Sequence, residues 1–69
     1  MNAYVKGLRK EANDLRAQSF ALHNTLVTEG RGMTVSEIEA DEKRSVRAGE
    51  LKAELARYDR LENSALEST

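Results

Sequence analysis

Hydrophobic residues in the first part of the chain recur at alternating intervals of four and three. The positions on this pattern are Met1, Val5, Leu8, Ala12, Leu15, Ser19, Leu22 and Leu26. This spacing is typical of the a/d seam of a coiled coil, because it keeps one apolar stripe of a helix turned toward a partner. The pattern therefore predicts a first α-helix over residues about 2–28.

A second stretch with helical spacing, over residues about 35–67, is less regular than the first. Its C-terminal half has apolar residues at heptad positions, but Asp41 and Arg44 occupy two positions where apolar side chains are expected. We therefore expect the segment between Asp41 and Gly49 to pack least tightly. The side chains that we expect to pack between the helices or at an interface are Val5, Leu8, Leu15, Leu22, Leu26, Ile38, Leu51, Leu55, Tyr58 and Leu61.

A glycine-containing turn at residues 29–34 separates the two stretches. Gly30 and Gly32 supply the positive φ that ends a helix. The same glycines around Arg31 also fit an anion-binding loop next to a helix N-terminus, but such loops normally follow a strand, and no strand is predicted. We favour the helix stop, and we expect Arg31 to donate hydrogen bonds to the last carbonyls of the first helix.

The start of the second helix is also marked by local signals. Thr34 followed by Glu37 is a capping box, and Met33 and Ile38 fall at the positions of a hydrophobic staple. With a helix stop directly before these signals, the chain must reverse direction. We therefore predict an all-α fold, a single two-helix antiparallel coiled-coil hairpin over residues 1–69 that oligomerises into a helical bundle.

The expectation of a partner comes from the size of the chain and from apolar residues outside the seam. In chains below about 70–80 residues, one core rarely supplies more than about 3–5 kcal/mol of net stability, and this chain has 69 residues. Tyr4, Phe20 and Val27 lie off the seam and widen the apolar face of the first helix. The partner would be a second copy or the rest of a larger protein.

Composition and charge narrow the classes of function. The absence of cysteine excludes disulfides and thiolate metal sites, and the net charge of −1 gives no overall attraction to nucleic acid or anionic lipid. We expect no membrane span, no signal peptide and a cytoplasmic location. Residues 1–28 carry a net +2 and residues 34–69 a net −3. Opposite signs favour antiparallel pairing of the helices or head-to-tail pairing of two hairpins.

No group of residues predicts catalysis, a cofactor or a metal site. His23, the single histidine, has no carboxylate or cysteine at helical spacing, so we interpret it as the flank of a packed stripe. The acidic cluster of Glu37, Glu39, Asp41 and Glu42 lacks the glycine and the ligand alternation of a calcium loop. We interpret it as a solvated helix start, stabilised by the helix dipole. We therefore predict that the protein is not an enzyme.

Two groups of basic residues raise the possibility of DNA binding. They consist of Lys6, Arg9 and Lys10, and of Lys43, Arg44 and Arg47. Both groups are interspersed with acidic residues, and neither shows recognition-helix geometry. We expect no nucleic-acid partner.

A resemblance to a known family is carried by the turn and by residues of both helices. The residues concerned are Leu8, Leu15, Leu22, the run from Glu29 to Glu37, Glu50, Leu51, Leu55, Arg57, Tyr58, Leu61 and Glu62. With them the chain resembles the N-terminal scaffolding region, or delta domain, of tailed-phage major capsid proteins of the Hong Kong 97 type. The family's turn has the form glutamate-glycine-arginine-x-hydrophobic-threonine-x-x-glutamate. This chain departs from the family at Asp41 and Arg44, where an aromatic residue and a leucine are usual.

The resemblance implies a built-in scaffold, fused ahead of the shell-forming domain. Such segments lie inside the procapsid in the host cytoplasm and bring capsid subunits together into hexamers and pentamers. A maturation protease then removes them. The partners implied are further copies of the chain, capsid subunits and that protease.

Two other functions remain open at this stage. The chain is also consistent with a generic coiled-coil oligomerisation or adaptor module, or with a free-standing scaffolding protein. A helical arm that contacts tRNA in a class II synthetase is a third candidate, but such an arm needs a basic stripe, and the charges here are mixed. A long reading frame downstream of Thr69 would favour the capsid scaffold, and a stop codon there would favour the second group.

Overall fold

In a computed structural model, which describes residues 2–67 and the side chains up to Ala65, the chain forms two α-helices. Helix α1 spans Ala3–Glu29 and helix α2 spans Val35–Glu67. No strand occurs between residues 2 and 67. The prediction of an all-α helical hairpin is confirmed. Met1, Ser68 and Thr69 lie outside the described residues.

The two helices lie side by side and antiparallel, so the start of α1 is next to the end of α2. The rings of Tyr4 and Tyr58 are in edge-to-face contact, with their centroids 5.8 Å apart. Further toward the turn, Glu11 of α1 reaches Arg47 of α2. The hairpin measures 55 × 18 × 18 Å.

Both ends of α1 are capped. The side chain of Asn2 accepts a hydrogen bond from the backbone N–H of Tyr4 at 2.9 Å, which satisfies one of the free donors of the first turn. At the other end Gly30 adopts the left-handed conformation, with φ 61° and ψ 40°. Among the described residues only Gly30 has a positive φ, so the prediction is wrong for Gly32, because one left-handed residue already ends the helix. The carbonyl of Leu26 accepts from the N–H groups of Gly30 and Arg31, a Schellman-type ending that a residue with a Cβ would strain.

The closely packed part of the hairpin is its half away from the turn. Among the described side chains, the buried hydrophobic residues are Val5, Leu8 and Leu51, which are 8%, 6% and 0% exposed. The other predicted packing residues that are partly covered are Leu15, Leu22, Leu26, Leu55 and Tyr58. The core is therefore centred on Leu51 and becomes thinner toward the turn.

Two of the predicted packing residues are largely exposed. Leu61 is 65% exposed because α2 is the longer helix and, beyond about residue 60, has no residue of α1 opposite it. Ile38 is 42% exposed and lies beside the heptad stripe of α2. The stripe itself is occupied there by Asp41 and Arg44, both half-buried.

Arg44 replaces a hydrophobic side chain in the turn-proximal half of the interface. Its side chain is only 18% exposed, and its nearest carboxylate is that of Asp41, at 3.6 Å. Its Nε atom is buried and has no hydrogen-bond partner. Because a buried donor without a partner is unfavourable, this position weakens the contact between the helices.

Candidate interaction surface

The turn is fixed by a reciprocal pair of hydrogen bonds at the start of α2. The backbone N–H of Thr34 donates to Glu37 Oε1 at 2.9 Å, and the backbone N–H of Glu37 donates to Thr34 Oγ1 at 3.1 Å. This is the capping box indicated by the sequence. Met33, directly before it, is half-buried.

Arg31 links the two helix ends through its guanidinium group. It donates to both carboxylate oxygens of Glu37, at 2.8 and 3.1 Å, and to Glu29 Oε1 at 3.1 Å. It also donates to the carbonyl of Gly32 at 3.0 Å. The hydrogen bonds with Arg31, followed by the backbone hydrogen bond from Thr34, lower the pKa of Glu37 to about 2.

The expectation that the Arg31 side chain caps the end of α1 needs a correction. The guanidinium instead holds two carboxylates and a carbonyl of the turn, while the backbone N–H of Arg31 reaches Leu26 O at 3.2 Å. The cause is local, because Glu29 and Glu37 lie within reach and a carboxylate is a stronger acceptor than a carbonyl. The result is a reversal of the chain that is held by side-chain as well as backbone hydrogen bonds.

One long edge of the hairpin, which we call the sealed seam, is closed by polar contacts between the helices. It consists of Tyr4 and Glu11 on α1 and Arg47, Glu54 and Tyr58 on α2. Arg47 donates from Nε and Nη2 to the two oxygens of Glu11, at 2.6 and 2.9 Å. The hydroxyl of Tyr4 donates to Glu54. The heptad pattern does not indicate these pairs.

The electrostatics of the sealed seam follow from these hydrogen bonds. The hydrogen bond with Arg47 lowers the pKa of Glu11, despite some opposing desolvation. The hydrogen bond with Glu54 raises the pKa of Tyr4, because loss of the proton would place two negative charges together. Both effects keep the seam in its bonded form at neutral pH.

The opposite long edge is open, and we call it the open groove. It has a volume of about 800 Å³ and lies between the two helices. Charged residues at its rim include Arg9 and Asp59, whose ion pair at 2.8 Å crosses the groove at the end away from the turn. Its floor consists mostly of small side chains, with one leucine from each helix: Ala12, Leu15, Ser19, Ser45, Ala48 and Leu55.

The apolar surface continues from the open groove toward the turn. Phe20 is one helical turn beyond Arg16, which lines the groove, and Ile38 is two turns before Ser45, which also lines it. They are 65% and 42% exposed. Val27 lies two turns beyond Phe20 and is 66% exposed. The open side of the hairpin therefore combines a small-residue groove with a bulky apolar end.

The residues considered for chemistry do not form a site together. His23 is exposed. Within residues 2–67 there is no group of histidine and carboxylate side chains that could hold a metal ion. Two members of the acidic cluster are engaged in ion pairs, Glu37 with Arg31 and Asp41 with Arg44. In the same part of the chain, neither helix has the length and apolar character that crossing a bilayer requires.

No family model, curated protein or solved structure matches this chain. Its function must therefore be argued from its own residues and their geometry. The two long edges of the hairpin differ, because one is closed by polar contacts between the helices and the other is an open groove.

Proposed function

We propose that this chain is a non-enzymatic assembly segment that works by weak self-association of its helices. Its turn and heptads resemble those of capsid delta domains. We therefore propose more specifically that it is a scaffold segment fused to a capsid protein, and that this segment promotes procapsid assembly and is removed on maturation. The observation that carries the proposal is an imbalance in packing. Of the described side chains, three hydrophobic ones are buried while seven large ones are exposed.

This imbalance is unusual for a chain that functions alone. Scattered exposed hydrophobic residues are normal, but the exposed Phe20 and Ile38 lie at helical spacing from Arg16 and Ser45, which line the groove. The core around Leu51 is small, so contact with another molecule would add substantially to the buried apolar area. A protein that assembles with further copies supplies such contact.

The mixed charges of the hairpin support weak and reversible association. Ion pairs at its surface, such as Arg9 with Asp59, are half-exposed and contribute little individually. When many such hairpins are held in one shell, each contact can remain weak, because the tether raises the effective concentration of the next one. Weak contacts also allow wrongly placed subunits to exchange during assembly.

The capsid part of the proposal is supported by the contacts of the turn. The family's turn has the form glutamate-glycine-arginine-x-hydrophobic-threonine-x-x-glutamate. In this chain each polar residue of that form makes a hydrogen bond within the turn. Glu29 and Glu37 bind Arg31, and Glu37 also forms the capping box with Thr34. Gly30 provides the left-handed ending of α1. Within the turn, the residues that carry the resemblance are therefore the ones that make the reversal.

The self-association is tested by thermal unfolding of the chain, followed by circular dichroism over a hundredfold range of concentration. We expect the midpoint to rise with concentration, as it does when folding is coupled to association. A midpoint independent of concentration, with a monomer in sedimentation equilibrium, would refute the proposal.

The capsid function is tested by the reading frame downstream of Thr69 and by deletion of this segment. We expect a shell-forming domain downstream of Thr69 in the same reading frame, and we expect deletion of residues 1–69 from that precursor to abolish procapsids. Normal procapsids from the deletion variant would refute a scaffolding role. A reading frame without a shell-forming domain would favour the general oligomerisation or adaptor module.

A further inference from the structure

We propose that the open groove is the contact face between two copies of this chain, which pair antiparallel with their turns at opposite ends. The pair is a four-helix bundle in which each copy covers the groove of the other. This inference rests on the self-association proposed above, and it adds the face and the direction of pairing.

The difference between the two edges selects the face. The sealed seam has its side chains bonded across the helices, as in the pair of Glu11 with Arg47, so pairing there would require these bonds to break. The open groove has a floor of small residues such as Ala12 and Ala48, over which another helix can approach closely. Association on the groove side leaves the hairpin intact.

The distribution of side-chain sizes selects the direction. The bulky residues of the open side, Phe20 and Ile38, lie near the turn, while Ala12 and Ala56 lie nearer the other end. In an antiparallel pair, the bulky end of each copy lies over the small-residue end of the other. With the turns at the same end, bulky residues would meet bulky residues and the grooves would stay partly empty.

Charge complementarity agrees with the antiparallel direction. Asp41 and Lys52 both line the groove on α2, eleven residues or about 16 Å apart along the helix. A two-fold axis between residues 46 and 47 places Asp41 of each copy opposite Lys52 of the other. Within the described part of the chain Lys52 forms no ion pair, and the contact of Asp41 with Arg44 is long, at 3.6 Å.

The open side is large enough for a stable dimer. The hairpin is 55 Å long and 18 Å wide. A face of these dimensions compares well with the roughly 800 Å² that each partner contributes to a standard protein interface. One further copy therefore suffices to cover the groove and the apolar end together.

The face is tested by sedimentation equilibrium of the 69-residue chain and two alanine variants. Ala48 lines the groove and is exposed, so Ala48→Glu leaves the hairpin folded while placing a carboxylate in the proposed interface. Ala53→Glu makes the same change on the far side of α2, where the residue is also exposed. We expect Ala48→Glu to weaken dimerisation by roughly tenfold or more and Ala53→Glu to leave it within a factor of about two.

The direction is tested by charge exchange. We expect Asp41→Lys and Lys52→Asp each to weaken the homodimer, because each places like charges opposite one another. Mixed in equal amounts, the two variants should form a heterodimer that is tighter than either homodimer, since both contacts become attractive. With the turns at the same end, Asp41 would face Asp41 and Lys52 would face Lys52, so neither variant alone would form a weaker homodimer than wild type. Homodimers as tight as wild type would therefore overturn the antiparallel direction.

A distance measurement gives a second readout of direction. The chain has no cysteine, so Thr28→Cys accepts one spin label near the turn. In the antiparallel dimer we expect the two labels to be about 45 Å apart, and with the turns together below about 20 Å. The shorter distance, or equal effects of Ala48→Glu and Ala53→Glu, would overturn this inference while self-association stands. A monomer at every concentration would overturn the proposed function as well.

Discussion

Glu11 and Arg47 form a two-pronged ion pair between the helices, in which both guanidinium contacts are shorter than 3.0 Å. The pair lies one helical turn from Leu51, on the side of the core that faces the turn. A planar guanidinium and a planar carboxylate meet in this way at only one relative height, so the pair helps to fix the register of the helices.

Replacing Glu11 by glutamine removes the charge and one of the two strong acceptors of this pair. We expect the unfolding midpoint at a fixed protein concentration to fall by a few degrees, measured by circular dichroism at low salt. Asp14→Asn is the matched control, because Asp14 pairs only within α1, with Lys10. An equal effect of the two variants would mean that the pair with Arg47 has no special role in register.

The pH dependence of the turn follows from Glu37. Its pKa is lowered from 4.5 to about 2, so its contribution to stability is fully present above pH 4.5 and is lost as the pH falls through about 2. We expect wild type to be more stable than Glu37→Gln at pH 7, with the difference shrinking between pH 4.5 and 2. Thermal unfolding across this range measures it, with Glu39→Gln as the control. A constant difference down to pH 2 would contradict the assignment.

Alanine substitutions at two glycines are expected to change the stability of the protein in opposite directions. Gly30 has a positive φ with open space around it, so Gly30→Ala should cost about 1–2 kcal/mol from backbone strain alone. Gly49 lies in the interior of α2, also with no atom near its would-be Cβ, and Gly49→Ala should stabilise the protein by about 1 kcal/mol. Denaturant unfolding of both variants measures the two changes in stability. A loss of stability in Gly49→Ala would contradict the open space found around Gly49.

The packing residues differ in importance. Leu51 is fully buried, and Leu51→Ala should destabilise the hairpin by about 2–5 kcal/mol, which suffices to unfold a protein of this size. Leu61→Ala removes the same atoms from a side chain that is 65% exposed, and we expect a small effect. Comparison of helicity at 25 °C by circular dichroism tests this, and similar helicity of the two variants would place the core elsewhere.

Replacing Arg44 by leucine is expected to stabilise the hairpin. Its Nε is buried without a partner at a position where the heptad pattern favours an apolar residue. Arg44→Leu should therefore raise the unfolding midpoint, since it removes an unsatisfied donor and adds apolar contact. Lys43→Leu, on the exposed back of α2, serves as the control. A lower midpoint for Arg44→Leu would show that its guanidinium has a partner that stabilises the hairpin.

The reversal of the chain could be predicted because its signals are local. Gly30, Thr34 and Glu37 act within a few residues of one another, and the leucine spacing of α1 is a property of one helix alone. The seam pairs Tyr4–Glu54 and Glu11–Arg47 could not be predicted, because they depend on how far one helix is rotated and shifted against the other. The exposure of Leu61 has the same origin, since it follows from the unequal lengths of the helices.

The hairpin is held together by the packing around Leu51, in the middle of α2, and by the bridge from Arg31 to Glu37 at the turn. The stretch of α2 between these two contacts contains Arg44, whose buried Nε has no hydrogen-bond partner. We expect the stretch from Glu37 to Arg47 to bend without breaking either contact. In the self-assembly proposed above, we expect this bending to let identical hairpins pack against one another at slightly different angles.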